Sequence, residues 1–361
     1  MSTTMEEDSS WADASLLFGL PMAVRAALVL NVPRIIDSAF PTLALSAKQI
    51  CEQVSKIHDR PASPLQLEKL MDWLSCNAIF SLTVEEDENG SKVKKYGHNP
   101  KSRCLSKDQI ADGLLLFSAP EMVAMGPKAH EPVFSPNVPA FELVTGKFFY
   151  KYLADDAPET QRIYVRVLNG TSIQALKLLI EKYDEELKSL KGTVVDVGGQ
   201  EGAISAGLAA RYPQLKFVNL DLPEVIRRAP QIPRVEHIGG SFFDEVPPGN
   251  LLLVKFCLLN WNDENCLRIL RNCREALAGQ QGSGKLLIID RIDRSLDTLN
   301  RDDDVSARTA SAWSNFLSTL LLSEARTRTL EEFQGLALAA GFSKLEFVHN
   351  YPGLDLMEAS I

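Results

Sequence analysis

From Lys191 onward, short apolar stretches alternate with amphipathic helical ones, and this alternation constrains the fold more than any other feature of the chain. In the helical stretch after Asp263, for example, the apolar residues recur at the spacing that places them on one face. Alternating buried strands and amphipathic helices predict an α/β fold with a doubly wound, mostly parallel sheet. We expect strands at residues 193–198, 216–221, 235–240, 251–259 and 285–292, and an antiparallel pair at the sheet edge from residues 344–349 and 353–361.

The N-terminal part of the chain has a different pattern. Residues 15–40 are apolar at helical spacing, a second helix is expected with Ser46 as its N-cap, and a third amphipathic stretch begins at Pro64. Asn89 and Gly90 then form a strong turn signal between two short strands. Helices followed by a β-hairpin predict a winged-helix-like domain.

Charge indicates how a domain of this kind is used. The third helix carries the acids Glu68 and Asp72, whereas a helix that reads DNA needs clustered basic residues. The whole chain has a net charge of −9, which also argues against nucleic acid as a partner. We therefore interpret residues 1–115 as a dimerisation domain and residues 116–361 as the doubly wound domain, in which a helical connector at 116–190 contributes to a substrate pocket.

Three features of the sequence point to a cytoplasmic protein without a membrane segment. The N-terminal stretch is acidic and polar, and it lacks the basic and apolar regions of a signal peptide. No apolar run approaches the roughly 20 residues that span a bilayer. The cysteines form no C-x-x-C pair, so no metal site is expected, and Cys266 and Cys273 fall on the apolar side of a helix as buried thiols.

A glycine-rich segment follows the first predicted strand. Asp196, Gly198, Gly199 and Gly202 belong to a turn in which backbone N–H groups can approach a ligand at the start of a helix. Asp221 closes the second strand, where an acid accepts hydrogen bonds from ribose hydroxyls. The G-x-G-x-x-G pattern of NAD-binding proteins is incomplete, because its first glycine would fall on a valine. The segment is closer to the D-x-G-x-G-x-G loop of methyltransferases.

The order of motifs along the chain carries a family resemblance. The segments are VVDVGGQEG, NLDLPEVI, VEHIGG, LVKF, NWNDENCLRILRNCREAL and TLEEFQGLALAAGF, together with GLPMAVRAALVLNVPRIID and YGHNPKSRCL in the N-terminal half. With them the chain resembles the plant and fungal small-molecule O-methyltransferases of the caffeic-acid type over nearly its whole length. The resemblance implies a Rossmann-like domain that binds S-adenosyl-L-methionine, a homodimer, and a phenolic or related small-molecule substrate.

The resemblance also assigns cofactor-binding residues, with two departures. Gln200 replaces the middle glycine of the loop, where a side chain can intrude on the cofactor. Ser241 replaces an aspartate that contacts the adenosine part, so that hydrogen bond loses its charge-assisted character. By position, the resemblance implies cofactor contacts for Ser172, Asp196, Gly198, Gly199, Gly202, Asp221, Leu222, Ser241, Phe242 and Lys255.

The family's catalytic segment, K-W-x-x-H-D-W-S-D-E-H-C, differs here at the reactive residue. In the family its histidine removes the proton from the substrate hydroxyl, but this chain has Leu259 at that position, followed by Asn260. The two acids that orient the histidine are altered as well, to Asp290 and Thr327. His130 lies close to a pocket histidine of the family pattern, and it is either an assisting residue or a histidine of a surface loop.

Loss of the base leaves three interpretations open. In the first, methylation proceeds without a dedicated base, on an amine or on a phenol acidic enough to ionise. In the second, the pocket catalyses a cyclisation or pericyclic step, with the sulfonium cofactor as a bound electrostatic aid. In the third, the chain is a non-catalytic partner that dimerises with an active relative.

Overall fold

The computed structural model describes residues 19–278, 284–294, 305–351 and 353–361, with side chains throughout except at 278 and 305–311. The chain forms two compact units, one of residues 1–123 with 153–167 and the other of residues 124–152 with 168–361. The acidic N-terminal stretch, the start of the apolar segment at residue 15 and Pro352 between the last two strands lie outside the described residues.

The first part of the chain combines helices with a small antiparallel sheet. Its elements are α1 (Gly19–Val29), α2 (Val32–Ser38), β1 (Ala44–Ser46), α3 (Ala47–His58), α4 (Pro64–Cys76), β2 (Ser81–Glu86), β3 (Lys92–Gly97), α5 (Pro100–Leu105), α6 (Asp108–Phe117) and α7 (Pro120–Ala124). Strand β3 lies between β1 and β2 and pairs antiparallel with both. The predicted hairpin is therefore confirmed, and Gly90 in its turn has the positive φ of 76° that favours glycine.

Capping and charge explain the local arrangement of this part. The Ser46 hydroxyl accepts the Gln49 N–H, and the Gln49 side chain accepts the Ser46 N–H, so the predicted N-cap of α3 is confirmed as a capping box. On α4, Glu68 and Asp72 both form ion pairs with Lys94 of the hairpin. The acids that argued against DNA binding thus hold the hairpin against α4.

The middle of the chain is helical, as expected. After a 3₁₀ turn (Gly126–Lys128) come α8 (Glu131–Phe134), α9 (Ala140–Thr145), α10 (Phe149–Asp155) and the long α11 (Pro158–Ser189).

Among the described residues, the second unit is built on a seven-stranded sheet in the order β6-β5-β4-β7-β8-β10-β9. The strands from β6 to β8 are parallel, whereas β10 is antiparallel to both β8 and β9, which confirms the predicted α/β fold and its antiparallel edge. In chain order the elements are β4 (Thr193–Val197), α12 (Ala203–Arg211), β5 (Lys216–Asp221), α13 (Pro223–Ile226), β6 (Val235–Gly239), β7 (Leu251–Lys255), α14 (Asp263–Ala278), β8 (Lys285–Asp290), α15 (Val305–Leu321), α16 (Leu330–Ala339), β9 (Lys344–Tyr351) and β10 (Leu354–Ser360).

Helices cover both faces of this sheet. On one face Val195 of β4 packs in a cluster with Cys266 and Cys273 of α14, and both thiols are fully buried as predicted. On the other face Val194 packs in a cluster with Leu208 of α12 and with residues of α11. Neighbouring strand residues therefore face opposite cores, which is why the strands are apolar throughout.

The largest difference from the predicted strand bounds is in β7. β7 ends at Lys255 rather than at residue 259, because Phe256 takes a positive φ of 52° and Leu258–Asn260 form a 3₁₀ turn. Leu258 is fully buried in that turn. Apolar composition alone does not distinguish a buried turn from a strand.

Within the described ranges, no single helix is long and apolar enough to cross a membrane. The consecutive helices α1 and α2 have that length and composition only when taken together, and the chain bends by 51° between them. The same residues contain no group of three or more His, Cys, Asp or Glu side chains arranged to hold a metal ion.

Candidate active site

The predicted site residues fall at one edge of the parallel sheet. Strand β4 runs parallel to β5 and β7, and β7 runs parallel to β8, so the residues at their carboxyl ends share an edge. The loop 196–202 follows β4, Asp221 ends β5, Leu259 follows β7 and Asp290 ends β8. A recess of about 590 Å³ opens at the opposite edge, beside Thr193, and is separate from this group.

The loop after β4 packs tightly against the sheet. Gly198 has a φ of 72°, and a Cβ atom there would lie 2.6 Å from the Cys257 Sγ. A Cβ atom at Gly199 would lie 2.2 Å from Oδ1 of Asn219. Only glycine fits where there is so little room. The same packing joins the loop to the turn after β7, since Cys257 Sγ donates to the Val197 carbonyl at 3.6 Å.

Gln200 takes a left-handed backbone conformation of the kind that favours glycine, with a φ of 56°. Its N–H donates to Asp221 Oδ2 at 2.7 Å, and its carbonyl accepts a hydrogen bond from Asn219 Nδ2 at 2.8 Å. His237 Nδ1 lies 3.1 Å from the same Asn219 nitrogen. A non-glycine residue in this conformation costs about 1 kcal/mol. Hydrogen bonds at both ends of the residue stabilise the loop in spite of that cost.

Two carboxyl groups lie under and beside this loop. Burial raises the pKa of Asp196 to about 6, and its Oδ2 accepts a hydrogen bond from Ser205 Oγ at 3.1 Å. Burial also raises the pKa of Asp221, while two backbone N–H groups oppose that rise. The two oxygens of Asp221 each accept one of those N–H groups, from Gln200 and Leu222. Each keeps a lone pair for a hydroxyl donor such as that of a ribose.

Apolar and aromatic surface lies next to these acceptors. Leu222 is 47% exposed directly after Asp221, and a Phe242 ring atom lies 3.5 Å from the Cβ position of Gly198. The Ser241 hydroxyl accepts a backbone N–H at 3.2 Å and keeps its own proton for donation. Hydrogen-bond acceptors for a ribose therefore lie beside apolar surface for an adenine ring. This combination fits the nucleoside part of S-adenosyl-L-methionine.

Lys255 contacts Thr171, the residue that precedes Ser172 in α11. Lys255 Nζ donates to Thr171 Oγ1 at 3.3 Å, and burial lowers the pKa of this lysine. Ser172 is buried, and its Oγ donates to the Leu168 carbonyl of its own helix at 2.9 Å. α11 therefore brings the Thr171 hydroxyl to the end of β7. Thr171 carries no sequence signal beyond its place beside Ser172.

Leu259, which the sequence resemblance places at the family histidine, lies in a turn held by hydrogen bonds. Its N–H donates to Asp290 Oδ2 at 3.3 Å, and its carbonyl accepts the Arg326 N–H at 3.0 Å. Asn260 Nδ2 donates to the Phe256 carbonyl at 3.0 Å and closes the same turn. The structure thus brings Leu259, Asn260 and Asp290 together as the resemblance implied.

Asp290 has a structural function in this arrangement. Its side chain is fully buried, and burial raises its pKa to about 6. One oxygen accepts the Leu259 N–H, and the other accepts the Arg291 N–H at 2.8 Å. Backbone groups therefore occupy both oxygens, and the carboxyl has no surface for contact with a substrate.

Arg328 was not identified from the sequence, yet it holds this turn in place. It is fully buried, and Nε donates to Asp263 Oδ1 at 2.9 Å. Nη1 donates to the Leu258 carbonyl at 3.0 Å, and Nη2 donates to the Trp261 carbonyl at 2.6 Å. An arginine that precedes a helix has no periodicity to mark it as buried, so only its partners identify it.

Thr327 belongs to a small polar network. Its buried Oγ1 hydrogen-bonds Asn315 Oδ1 and lies 3.4 Å from Asp293 Oδ2. Asn315 Nδ2 donates to the same Asp293 oxygen at 3.1 Å. Thr327 itself is neutral, and the carboxylate of the network comes from Asp293.

His130 contacts a residue outside this network. Its side chain is 64% exposed at the start of α8, with Nε2 3.6 Å from Glu131 Oε1. In the described part of the chain, its ion-pair contact is thus with its sequence neighbour and not with the group around Leu259.

A doubly wound sheet with a glycine loop after one strand and an acid at the end of the next is typical of Rossmann-like domains that bind a nucleoside-containing cofactor. The chain belongs to the O-methyltransferase family, whose domain model matches residues 131–343. It is 32% identical over 354 residues to (S)-scoulerine 9-O-methyltransferase of Coptis japonica, with 95% of this chain and 87% of that protein covered.

Two further comparisons extend this result. The chain is 30% identical over 342 residues to nicotinate N-methyltransferase 1 of Glycine max, with 92% of this chain and 90% of that protein covered. Its fold matches the crystal structure of human N-acetylserotonin methyltransferase in complex with S-adenosylmethionine, with a TM-score of 0.75, 18% identity, and coverage of 98% of this chain and 97% of that one. The fold and family expected from the sequence are confirmed.

Proposed function

We propose that this chain is an S-adenosyl-L-methionine-dependent methyltransferase that acts on a small molecule without a histidine base. The acceptor is an amine or an acidic hydroxyl compound that ionises by itself. The observation that carries the proposal is that the cofactor loop keeps its backbone, with Gln200 in the conformation of a glycine, while Leu259 offers no proton acceptor. Asp290 does not replace the base, because its side chain is fully buried and has no surface for contact with a substrate.

Related proteins support a choice of acceptor beyond an ordinary phenol. One relative is named as an O-methyltransferase and another as an N-methyltransferase, at similar identity to this chain. The nitrogen of an amine that is neutral at working pH, such as an aromatic amine, carries its lone pair without prior proton removal. Transfer to it requires mainly proximity and alignment.

The chain's own residues have distinct tasks in this proposal. When bound, the cofactor supplies an electrophilic methyl group on a sulfonium cation. Asp221 accepts hydrogen bonds from its ribose, Phe242 and Leu222 contact its base, and Gly198 keeps the loop close to the sheet. Leu259 provides apolar surface that excludes water from the acceptor.

A second candidate function follows from the joint change of three positions. Leu259, Asp290 and Thr327 have together lost the base and its orientation, and the last two now serve in hydrogen-bonded scaffolding. In this alternative the bound cofactor is not consumed, and its positive charge stabilises the polar transition state of a cyclisation or pericyclic step.

Calorimetry and label transfer distinguish the two candidates. We expect the purified protein to bind S-adenosylmethionine and S-adenosylhomocysteine, and to transfer a labelled methyl group to members of a panel of amines and acidic phenols. Binding without transfer to any member would favour the second candidate. Absence of binding to either ligand would refute both candidates.

Restoring the base provides an independent test. The double variant Leu259→His/Thr327→Glu returns a proton acceptor and an acid to orient it, so we expect it to methylate ordinary phenols, with a rate that rises as the histidine loses its proton. Leu259→Asn with Thr327→Glu is the matched control, because it is polar but not basic. Equal rates in the two variants would contradict the role assigned to position 259.

We propose in addition that the chain forms a homodimer through the winged-helix-like first unit. Large apolar side chains are exposed there, among them Met22 at 58%, Phe40 at 80% and Leu43 at 74%. Exposed apolar surface of this kind is typical of an interaction site. Light scattering should give twice the mass of the chain. A monomer that associates only with an active relative would instead support a non-catalytic partner.

The free cysteines support the cytoplasmic setting as a further proposal. None of the six forms a disulfide, and four of them are buried. Free thiols persist in a reducing compartment.

A further inference from the structure

Arg291 has an accessible side chain between two buried residues. Asp290 is fully buried before it and Ile292 is 8% exposed after it, whereas Arg291 itself is exposed. Its Nη1 donates to Ser314 Oγ at 3.1 Å, and Ser314 is only 7% exposed. The guanidinium therefore extends from accessible surface down to a buried hydroxyl, which is the geometry of a group that lines a recess.

The same guanidinium lies against the aromatic ring of Phe256. Its Cζ is 5.4 Å from the ring centroid, and Lys255 Nζ is 5.0 Å from the same centroid. Phe256 has a positive φ of 52°, which is rare for a bulky residue and places its ring in the turn that leads to Leu259. Arg291 is thus next to both the cofactor lysine and the reactive turn.

Among the residues that the structure describes, Arg291 has no carboxylate at ion-pair distance. The two carboxylates whose charges raise the pKa of Arg291 are those of Asp290 and Asp355. Asp290 accepts two backbone N–H groups, and Asp355 accepts both Nη atoms of Arg294 at 2.9 and 2.7 Å. Both acids are engaged elsewhere, so with respect to the described residues the guanidinium keeps most of its donors for a ligand.

Electrostatics agree with this geometry. Desolvation by the surrounding protein lowers the pKa of Arg291, although the side chain is accessible. An accessible but partly desolvated cation binds an anion more strongly than a cation on open surface does, because water screens the pair less.

We propose that Arg291, with the Ser314 hydroxyl and the face of Phe256, forms a subsite for an anionic oxygen of the substrate. That oxygen belongs either to a carboxylate or to an ionised hydroxyl. The inference rests on the proposed function and explains how methylation dispenses with a base. A guanidinium stabilises the ionised form of an acidic hydroxyl and orients it through a planar pair of donors.

The methyl transfer balances without a proton acceptor at position 259. The ionised oxygen forms the new bond to the methyl carbon while the carbon–sulfur bond breaks. The bonding pair stays on sulfur, which becomes a neutral thioether. No proton remains on the acceptor, so Leu259 has none to remove. If the anion is a carboxylate, Arg291 anchors the substrate and a separate amine or hydroxyl receives the methyl group.

Binding measurements test the subsite independently of turnover. The full chain, saturated with S-adenosylhomocysteine, is titrated with benzoate, 4-hydroxybenzoate and 1-naphthoate and with their methyl esters. A second arm compares 4-nitrophenol, above and below its own pKa, with 4-nitroanisole. We expect at least one anion to bind about tenfold or more tightly than its neutral counterpart. The arm in which this happens tells a carboxylate from an ionised hydroxyl.

Variants assign the preference to Arg291. Arg291→Gln should abolish the preference for the anion and leave binding of the neutral probe unchanged, whereas Arg291→Lys should keep part of it. The matched control is Arg268→Gln, because Arg268 also lies over an aromatic ring, that of Phe243 at 5.6 Å, and its ion pair is exposed. Arg268→Gln should keep the full preference for the anionic probe over its neutral counterpart. S-adenosylhomocysteine should bind all three variants as it binds the unmodified chain.

The outcomes separate this inference from the proposed function. No anion preference in the unmodified chain, or the same preference in Arg291→Gln, would overturn the subsite even if methyl transfer occurs. A preference that depends on Arg291, in a protein that transfers no methyl group to any acceptor, would uphold the subsite and refute methylation.

Discussion

The loop after β4 and the turn after β7 are neighbours at one edge of the sheet, and in each the sequence predicts a departure from the family pattern at one central residue. In the loop, Gln200 takes a left-handed backbone conformation that favours glycine, and hydrogen bonds hold it at both ends. In the turn, the backbone of Leu259 makes two hydrogen bonds, but its side chain offers no proton acceptor. The first predicted replacement would leave the backbone of the loop in place, whereas the second would remove a chemical group.

This difference follows from how each segment acts. A loop that approaches its ligand through backbone groups tolerates a side-chain change at the cost of strain. A turn that acts through one side chain loses its reaction when that side chain changes, even though its scaffold stays intact. Arg328 and Asp263 maintain that scaffold. Hydrogen bonds therefore hold the turn in place, but the Leu259 side chain in it cannot accept a proton.

The largest expected effect comes from removing Arg328, which would break the turn and spare the loop. Arg328→Met leaves two carbonyls and Asp263 without their buried donor, so the free energy of unfolding should fall by about 3–5 kcal/mol in urea denaturation. Arg326→Met is the matched control, since Arg326 pairs with the same Asp263 but its side chain is 42% exposed. The control should lose less than about 1 kcal/mol. Equal losses would show that burial of Arg328 is not what stabilises the turn.

Gly198→Ala tests the packing between the two segments. The new Cβ would meet Cys257 Sγ at 2.6 Å in a residue with φ of 72°, so we expect a loss of about 2–4 kcal/mol of stability and weaker binding of S-adenosylhomocysteine. Gly335→Ala, in α16 with nothing within 4 Å, is the control and should be neutral or more stable by up to about 1 kcal/mol. An unchanged Gly198→Ala protein would mean that the loop is not held against the turn.

The pH dependence of stability tests the structural role of Asp290. Its pKa in the folded chain is about 6, against an ordinary value of 3.8, so the folded state holds the proton more tightly than the unfolded state. The stabilisation is complete below the ordinary value and is lost as pH rises through about 6. Asp290→Asn should remove that fall, which is at most about 3 kcal/mol, from the unfolding free energy measured against pH. Asp196 also has a raised pKa but is present in both proteins, so parallel curves would contradict burial of Asp290.

The smallest expected effect is that of Gln200→Gly. Glycine adopts a positive φ without strain, so the free energy of unfolding should rise by up to about 1 kcal/mol, and calorimetry should show tighter binding of S-adenosylhomocysteine. Gln200→Ala keeps the strain and serves as the control. If alanine improves binding as much as glycine does, the glutamine side chain and not the backbone is what weakens the cofactor site.

The sequence by itself determined the architecture and the family, and it predicted the cofactor loop and the replacement of the base. Alternation of apolar strands with helices such as Asp263–Ala278 predicted the doubly wound sheet, because side-chain burial follows the local period of each element. Gly198, Asp221 and Leu259 were identified because each occupies a fixed place in a short motif.

Only the tertiary structure decided where β7 ends, how Asp290 is used, and that Arg328 and Arg291 matter. Arg328 and the Leu258 carbonyl that it binds are 70 positions apart, and Arg291 and Ser314 belong to different elements. A single arginine has the same local signature whether it is buried in a turn, lines a recess or lies on the surface. Its partners and its exposure appear only when distant segments pack together. The sequence could therefore predict that Leu259 stands in place of a base, but it could not predict which groups surround that residue.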